Sequence, residues 1–178
     1  MAAAPQLDSS ATHTYNDSAR TGIVPDGASR AQTADLLERA RARARAATLE
    51  FAGNVSPDEA VELIAGGAAR LIDVRTPEER AFVGYVPNSI AVPWAFGTAF
   101  TRNPHFIREL ERKASRDDIL LFICRSGSRS ILAAEAAARA HFPHSYNVVE
   151  GFEGALDPER RRGTNDGWRY RGLPWIQD

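Results

Sequence analysis

From residue 56 to residue 151 the chain switches repeatedly between short apolar runs and stretches with helical spacing, and turn-forming or capping residues mark each switch. In SPDEAVELIAGG (56–67), Ser56 precedes the helical positions and Pro57 takes the first of them. Glu59 completes a capping box, and two glycines close the segment. NPHFIRELERKA (103–114) and SRSILAAEAAARAHF (128–142) predict two further helices. ARLIDV (69–74), SIAVPW (89–94), DILLFIC (118–124) and SYNVVEG (145–151) are the predicted strands. These strands are apolar at successive positions, which suits a parallel sheet covered on both faces by helices. The expected fold is therefore α/β, with three layers, a central mostly parallel sheet and flanking helices. Ligand sites in such sheets lie at the carboxyl ends of the strands.

The ends of the chain follow other patterns. Residues 1–30 are rich in Ala, Ser, Thr, Asp and Gly, with few large apolar side chains, and are expected to form a disordered tail. AQTADLLERARARARAATLEF (31–51) predicts a helical extension over 31–50, with Thr33 or Asp35 as its cap. Leu36, Leu37, Ala40, Ala44 and Ala47 recur at helical spacing, so this helix is expected to pack on its own domain, which covers 51–178. Arg39, Arg41, Arg43 and Arg45 are two residues apart, which spreads them around the helix as a solvated face. ALDPERRRGTNDGWRYRGLPWIQD (155–178) reads as a closing strap pinned by Trp168, Leu173 and Trp175, with the arginines at 160–162 as exposed loop charge.

Composition narrows the function classes. The chain has 178 residues, 43% of them hydrophobic and 25% charged, with a net charge of -1, which suits one soluble domain with a packed core. Near-neutral charge implies no general attraction to nucleic acid or to an acidic membrane surface. No segment approaches the roughly 20 apolar residues that span a bilayer, and the N-terminus lacks signal- and transit-peptide patterns. The single cysteine excludes an internal disulfide and fits a reducing compartment, so a cytoplasmic location is expected. His13, His105, His141 and His144 show no ligand spacing with it or with one another, and no metal is expected.

That cysteine lies in FICRSGSRS (122–130), between the most apolar strand and a helix start. Gly127 lets the backbone turn sharply, and a loop curled in this way can gather its N–H groups into an anion-binding nest. The positive end of the following helix adds to the field there. Arg125 and Arg129 bring guanidinium donors suited to sulfate- or phosphate-like oxygens. An inert core cysteine needs none of these neighbours, whereas a thiolate nucleophile acting on an anionic substrate needs all of them. Asp73 and Arg75 end the neighbouring strand and are expected to form a structural ion pair that shapes the loop. Trp94 and Phe152 are expected in the core or at the rim.

The ordered motifs resemble the rhodanese family of sulfurtransferases. Cys124-Arg125-Ser126-Gly127-Ser128-Arg129 matches the family's C-R-x-G-x-R active-site loop, and LIDVRTPEE (71–79) with GYVPNS (84–89) is similar to its first motif. NVVEGF (147–152) and GLPW (172–175) match its closing elements, so the resemblance runs from about residue 51 to 176. Tyr85 and Asn88-Ser89 depart from the usual G-H-I-P-G-A, and the spacer between Glu79 and Gly84 is one residue longer. The resemblance implies a rhodanese-like domain acting as a thiosulfate sulfurtransferase through a Cys124 persulfide. Arg125, Ser126, Gly127, Ser128 and Arg129 would bind the substrate and hold the leaving sulfite. The implied partners are a small anionic sulfur donor, a thiol or cyanide acceptor, and a sulfur-accepting protein, with no metal or organic cofactor, nucleic acid or membrane. Two other readings remain: a non-enzymatic sulfur-carrier or sensor module that docks a protein, and a cysteine phosphatase or arsenate reductase. Four residues separate Cys124 from Arg129, whereas tyrosine-phosphatase-type loops follow C-x5-R, and the smaller ring suits sulfur better than phosphate.

Overall fold

A computed structural model describes residues 27–178; the expected tail over residues 1–30 falls almost wholly outside the described residues. Five strands form one parallel sheet: β1 (Gly53–Val55), β2 (Ala69–Asp73), β3 (Ile90–Ala91), β6 (Ile119–Ile123) and β7 (Ser145–Val148), in the order β1-β7-β6-β2-β3. The most apolar strand, β6, occupies the centre, paired with β2 from Ala69↔Ile119 to Asp73↔Ile123 and with β7 from Leu120↔Ser145 to Phe122↔Asn147. That placement follows from burial, because only a central parallel strand is covered on both faces. A separate antiparallel pair, β4 (Ala95–Phe96) and β5 (Thr101–Arg102), follows β3.

Alternate residues of the strands feed two cores. Leu71, Leu121, Ile123, Tyr146 and Val148 face one side, with α1 (Arg30–Ala46), α2 (Pro57–Ala65), Phe152 and Trp168 packed against them. Ile72, Leu120, Phe122 and Cys124 face the other, against Phe106 and Leu110 of α4 (Phe106–Lys113) and Ala133, Ala134 and Ala137 of α5 (Ser128–Arg139). The three layers are thus those that the apolar runs predict. Trp168 is fully buried, and its indole N–H donates to the Pro174 carbonyl at 2.9 Å, which anchors the closing strap.

Capping boxes start three helices. Ser56 and Glu59 exchange bonds of 2.8 and 3.1 Å at α2. Thr76 and Glu79 do the same at 2.9 and 3.2 Å for α3 (Pro77–Val83), a short helix with no buried residue and no apolar stripe to betray it in sequence. At α1 the cap is Ser29, paired with Gln32, rather than Thr33 or Asp35. An earlier start leaves those two side chains inside the helix. The same helix stops at Ala46, short of residue 50, because Thr48 turns into the left-handed region at φ 53° and releases Phe51 into the second core. Ala47 is consequently exposed, while Leu36, Leu37, Ala40 and Ala44 are buried.

The arginines of α1 lie on the surface, Arg43 reaching Glu59 and the Asn54 carbonyl at 3.2 Å and Arg45 reaching Glu38 at 2.7 Å. Because Leu36, Leu37 and Ala40 share one core with Val55 and Tyr146, α1 is part of the folded unit. Leu37→Ala is expected to cost about 2–4 kcal/mol by removing a buried side chain that cannot be refilled. Urea denaturation should show one transition with a lower midpoint; a separate early transition for α1 would contradict shared packing.

Candidate active site

The loop after β6 is built for one abrupt reversal. Gly127 takes φ 92° in the left-handed region, where a side chain would be strained, and serves as the N-cap of α5. This turn brings the Gly127 N–H to 3.1 Å and the Ser130 hydroxyl to 3.2 Å from Cys124 Sγ. The Ser130 hydroxyl also lies 3.0 Å from the Gly127 carbonyl and, with one proton, serves one acceptor at a time. Donors aimed at sulfur stabilise negative charge on it. The backbone N–H groups of Arg125, Ser126, Ser128, Arg129 and Ser130 bond no carbonyl among the described residues. They are the unsatisfied donors of a tight loop and a helix start, which together favour an anion.

The two arginines of the loop have different surroundings. Arg129 forms a two-pronged pair with Glu79, at 2.7 and 2.6 Å, so its guanidinium is already committed to a carboxylate. It also lies 4.9 Å from the centre of the Phe100 ring. Burial alone would raise the Glu79 carboxyl, but hydrogen bonds from Arg129 and the Thr76 N–H outweigh it and hold the group below the usual glutamate range. The same carboxylate raises Arg129 above its ordinary value, against the opposing effect of burial. Arg125 is more open, with 42% of its side chain accessible, and its Nε lies 3.1 Å from Glu153 Oε1 without hydrogen-bond alignment. Its remaining donors are available to a ligand.

Two buttresses fix the loop from behind. Gly151 packs so closely that a Cβ there would stand 2.6 Å from the Cys124 carbonyl oxygen, the Arg125 carbonyl carbon and the Ser126 nitrogen. Phe152 N–H then donates to the Cys124 carbonyl at 2.8 Å. Asp73 and Arg75 form a fully buried ion pair at 2.7 Å, and the Arg75 guanidinium lies 4.0 Å over the Phe152 ring. Asp73 also receives Arg80 at 2.6 Å, and Arg75 donates to the Gly84 carbonyl at 2.9 Å. The pair therefore supports the loop through Phe152, Asp73 also acts on the charge of Arg129, and neither side chain hydrogen-bonds Cys124.

Trp94 and Phe152 are both core residues, Trp94 packing edge-on to Phe106 at 4.9 Å. Tyr85 lies under the Arg80 guanidinium and donates its hydroxyl to Asp178 at 3.0 Å. Among the described residues no three His, Cys, Asp or Glu side chains cluster as metal ligands, and no helix is long and apolar enough to cross a membrane. Of the arginines at 160–162, Arg160 and Arg161 are exposed, but Arg162 is half-buried with its Nε unpartnered, contrary to a purely exposed loop. Sequence reasoning missed Ser130, Glu79 and Glu153 as neighbours of the reactive residues. Ser130 was legible as the hydroxyl one helical turn past Gly127. Glu79 and Glu153 required tertiary distances.

A buried thiol at a strand end, met by a helix start and a set of unbonded backbone donors, is an arrangement that suits a cysteine nucleophile acting on a sulfur- or phosphate-type anion. The rhodanese-like domain model matches residues 56–157, more than half of the chain, and the chain belongs to that family. Human thiosulfate:glutathione sulfurtransferase is 30% identical over 112 residues, which are 61% of this chain and 96% of that protein. An uncharacterized protein of Rickettsia conorii is 34% identical over 118 residues, 64% of this chain and 87% of its own. The crystal structure of Rv0390 from M. tuberculosis matches with a TM-score of 0.66 at 42% identity, covering 72% of this chain and 99% of that one.

Replacing Glu79 with Gln keeps an acceptor for the capping box and removes the charge that balances Arg129. The variant is expected to lose about 1–3 kcal/mol at pH 7, since one member of a largely buried pair is left alone. Because the folded-state carboxyl is depressed, this stability is complete above the ordinary glutamate range and is lost as pH falls through the lower folded value. Denaturation curves of the two proteins should therefore converge on acidification. A gap that stays constant down to strongly acidic pH would contradict the pairing.

Proposed function

We propose that the chain is a sulfurtransferase that moves a sulfane sulfur from thiosulfate, or from a persulfide donor, to cyanide or a thiol through a persulfide on Cys124. The observation that carries this reading is the convergence on one sulfur of two hydrogen-bond donors, with five further backbone N–H groups left free in the same loop. The thiolate attacks the outer sulfur of thiosulfate, the S–S bond of thiosulfate breaks, and its electron pair departs with sulfite. Arg125 and the free N–H groups of residues 125–130 receive the departing charge. Arg129, held by Glu79, keeps the loop in shape and adds positive potential.

In the second half, cyanide attacks the outer sulfur of the persulfide, the bond to Cys124 Sγ breaks, and thiocyanate leaves while the thiolate is restored. A thiol acceptor follows the same electron flow. The name of the human relative, a thiosulfate:glutathione sulfurtransferase, supports this chemistry for the present chain. A lone reactive thiol supports a reducing, cytoplasmic setting. A sulfur-accepting protein is a second acceptor class, favoured by Phe82, which is 78% exposed on α3 one turn beyond Glu79.

Cys124→Ser is expected to abolish thiocyanate formation from thiosulfate and cyanide while leaving the thermal transition in place; undiminished thiocyanate would sink the mechanism. Ser130→Ala removes one of the two donors to Sγ and should slow persulfide formation about tenfold, the effect of losing a hydrogen bond to a charged atom. Stopped-flow measurement of sulfite release checks this. An unchanged rate would mean that the hydroxyl serves only the Gly127 carbonyl.

A further inference from the structure

The hairpin formed by β4 and β5 stands at the same edge of the sheet as Cys124. Trp94 N–H donates to the Val74 carbonyl at 3.0 Å, and Val74 N–H donates to the Ile123 carbonyl at 2.9 Å, so the hairpin's base is tied to the residue before Cys124. That base is firmly held. Ala95 and Asn103 are buried, and the Asn103 side chain donates to the Pro93 carbonyl at 2.8 Å. The tip has no such support. Two residue pairs, Ala95↔Arg102 and Phe96↔Thr101, make up the whole ladder, and the chain reverses between Gly97 and Phe100.

Gly97 and Phe100 both take the left-handed region, at φ 62° and φ 51°. Glycine does so freely, whereas phenylalanine is strained there, and the turn itself requires nothing that glycine or asparagine does not supply. Among the described residues six non-glycine positions have positive φ, and Phe100 is the only one of them with a hydrocarbon side chain. Thr48 and His141 follow the ends of α1 and α5, where a left-handed residue closes a helix. Core packing does not explain Phe100, because 49% of it is exposed. What it meets is Arg129, whose guanidinium carbon lies over the ring, 4.9 Å from its centre.

We infer that Phe100 is a positioning residue for the Cys124 site, and that the hairpin carries strained backbone at its tip in order to hold this ring against Arg129. Glu79 grips the guanidinium through two hydrogen bonds, and Phe100 closes a second side of it. A guanidinium held on two sides has fewer orientations. The ring also keeps water from one of those sides, so less of the positive potential is screened. That potential reaches the reactive sulfur: burial lowers Arg129, the Glu79 carboxylate raises it, and the charge of Cys124 adds to the rise. The inference rests on the sulfur-transfer reading, in which this potential draws in an anionic donor and supports the departing sulfite.

One position thereby divides stability from function. Phe100→Asn removes the ring and supplies a side chain that tolerates the left-handed region with less strain. If the ring served only the hairpin, the sulfur chemistry would be untouched by that change. A ring acting through Arg129 weakens the site when it is lost, while the fold keeps its stability. Two further variants separate the contact from its surroundings. Phe100→Tyr keeps an aromatic ring against Arg129, and Phe96→Ala removes the other exposed phenylalanine of the same hairpin.

The test uses the full-length protein and these three variants, with sulfate as an unreactive stand-in for the oxyanion of the donor. In Phe100→Asn, kcat/KM for sulfite release from thiosulfate should fall about fivefold, the effect of losing a cation–π contact at a partly exposed site. Sulfate affinity, measured by calorimetry, should weaken by a similar factor, while the thermal midpoint holds or rises. Phe100→Tyr and Phe96→Ala should match the wild type in both measurements. An unchanged rate and sulfate affinity in Phe100→Asn, an equal loss in Phe96→Ala, or a Phe100→Asn midpoint lowered by more than about 4 °C would overturn the inference. Sulfite release absent from every protein, alongside sulfate binding that weakens in Phe100→Asn, would instead remove the sulfur-transfer reading and leave the positioning role standing. A wild-type protein that neither releases sulfite nor binds sulfate would overturn both.

Discussion

The Glu79 carboxylate joins the two halves of the site, and the reactive loop depends on that junction. One of its oxygens closes the capping box of α3, and both hold Arg129, which lies 50 residues further along the chain. A short helix with no fully buried residue, whose part-buried Val83 packs on the first core, is thereby tied to the start of α5 by charge. Asp73 ties the same helix to the end of β2 through Arg80 and shares Arg75, whose guanidinium supports Phe152 beneath the Cys124 carbonyl. These charges pair with one another, although Arg75 Nη1 is buried without a hydrogen-bond partner, and the pairing offsets part of the desolvation each would otherwise suffer. Rigidity follows, and a preorganised ring of donors needs it.

Cys124 combines two environments that usually exclude each other. It is 1% exposed and belongs to the core formed with Ile72, Phe122 and Ala133, as an inert thiol would. Yet the Gly127 N–H and the Ser130 hydroxyl meet its sulfur, and the following backbone donors have no carbonyl to bond. A sulfur so deeply set excludes bulky reagents and admits a slender one such as a sulfane sulfur. In the proposed sulfur transfer, the outer sulfur of a Cys124 persulfide would stand further from the core and meet acceptors that Sγ itself does not. Burial and the proposed reactivity are then compatible, each serving a different half of the proposed reaction.

Much of this was legible from residue order. The strand runs, the α2 capping box and the whole CRSGSRS loop are local patterns, and the parallel sheet, the helical layers and the turn at Gly127 all follow from them. β1 escaped notice because three residues, Gly53–Val55, are too few for a period to appear. α3 escaped because PEERAFV has no apolar stripe, although Thr76, Pro77 and Glu79 spell out its cap. The commitment of Arg129 to Glu79 could not be read from the loop, since an arginine in an anion-binding motif looks the same whether its partner is substrate or protein. Arg162 likewise reads as surface charge within a basic run, and only the fold of the strap places its guanidinium against the Gly154 carbonyl.

The proposed function therefore centres on one atom, Cys124 Sγ, and on whether it takes up a second sulfur. Intact-protein mass spectrometry after incubation with thiosulfate tests this most directly, followed by addition of cyanide. The account predicts a mass gain of one sulfur atom, located on the peptide containing Cys124, absent in Cys124→Ser and reversed by cyanide. A protein that gains no sulfur under these conditions, or that keeps the sulfur in the presence of cyanide, would contradict it.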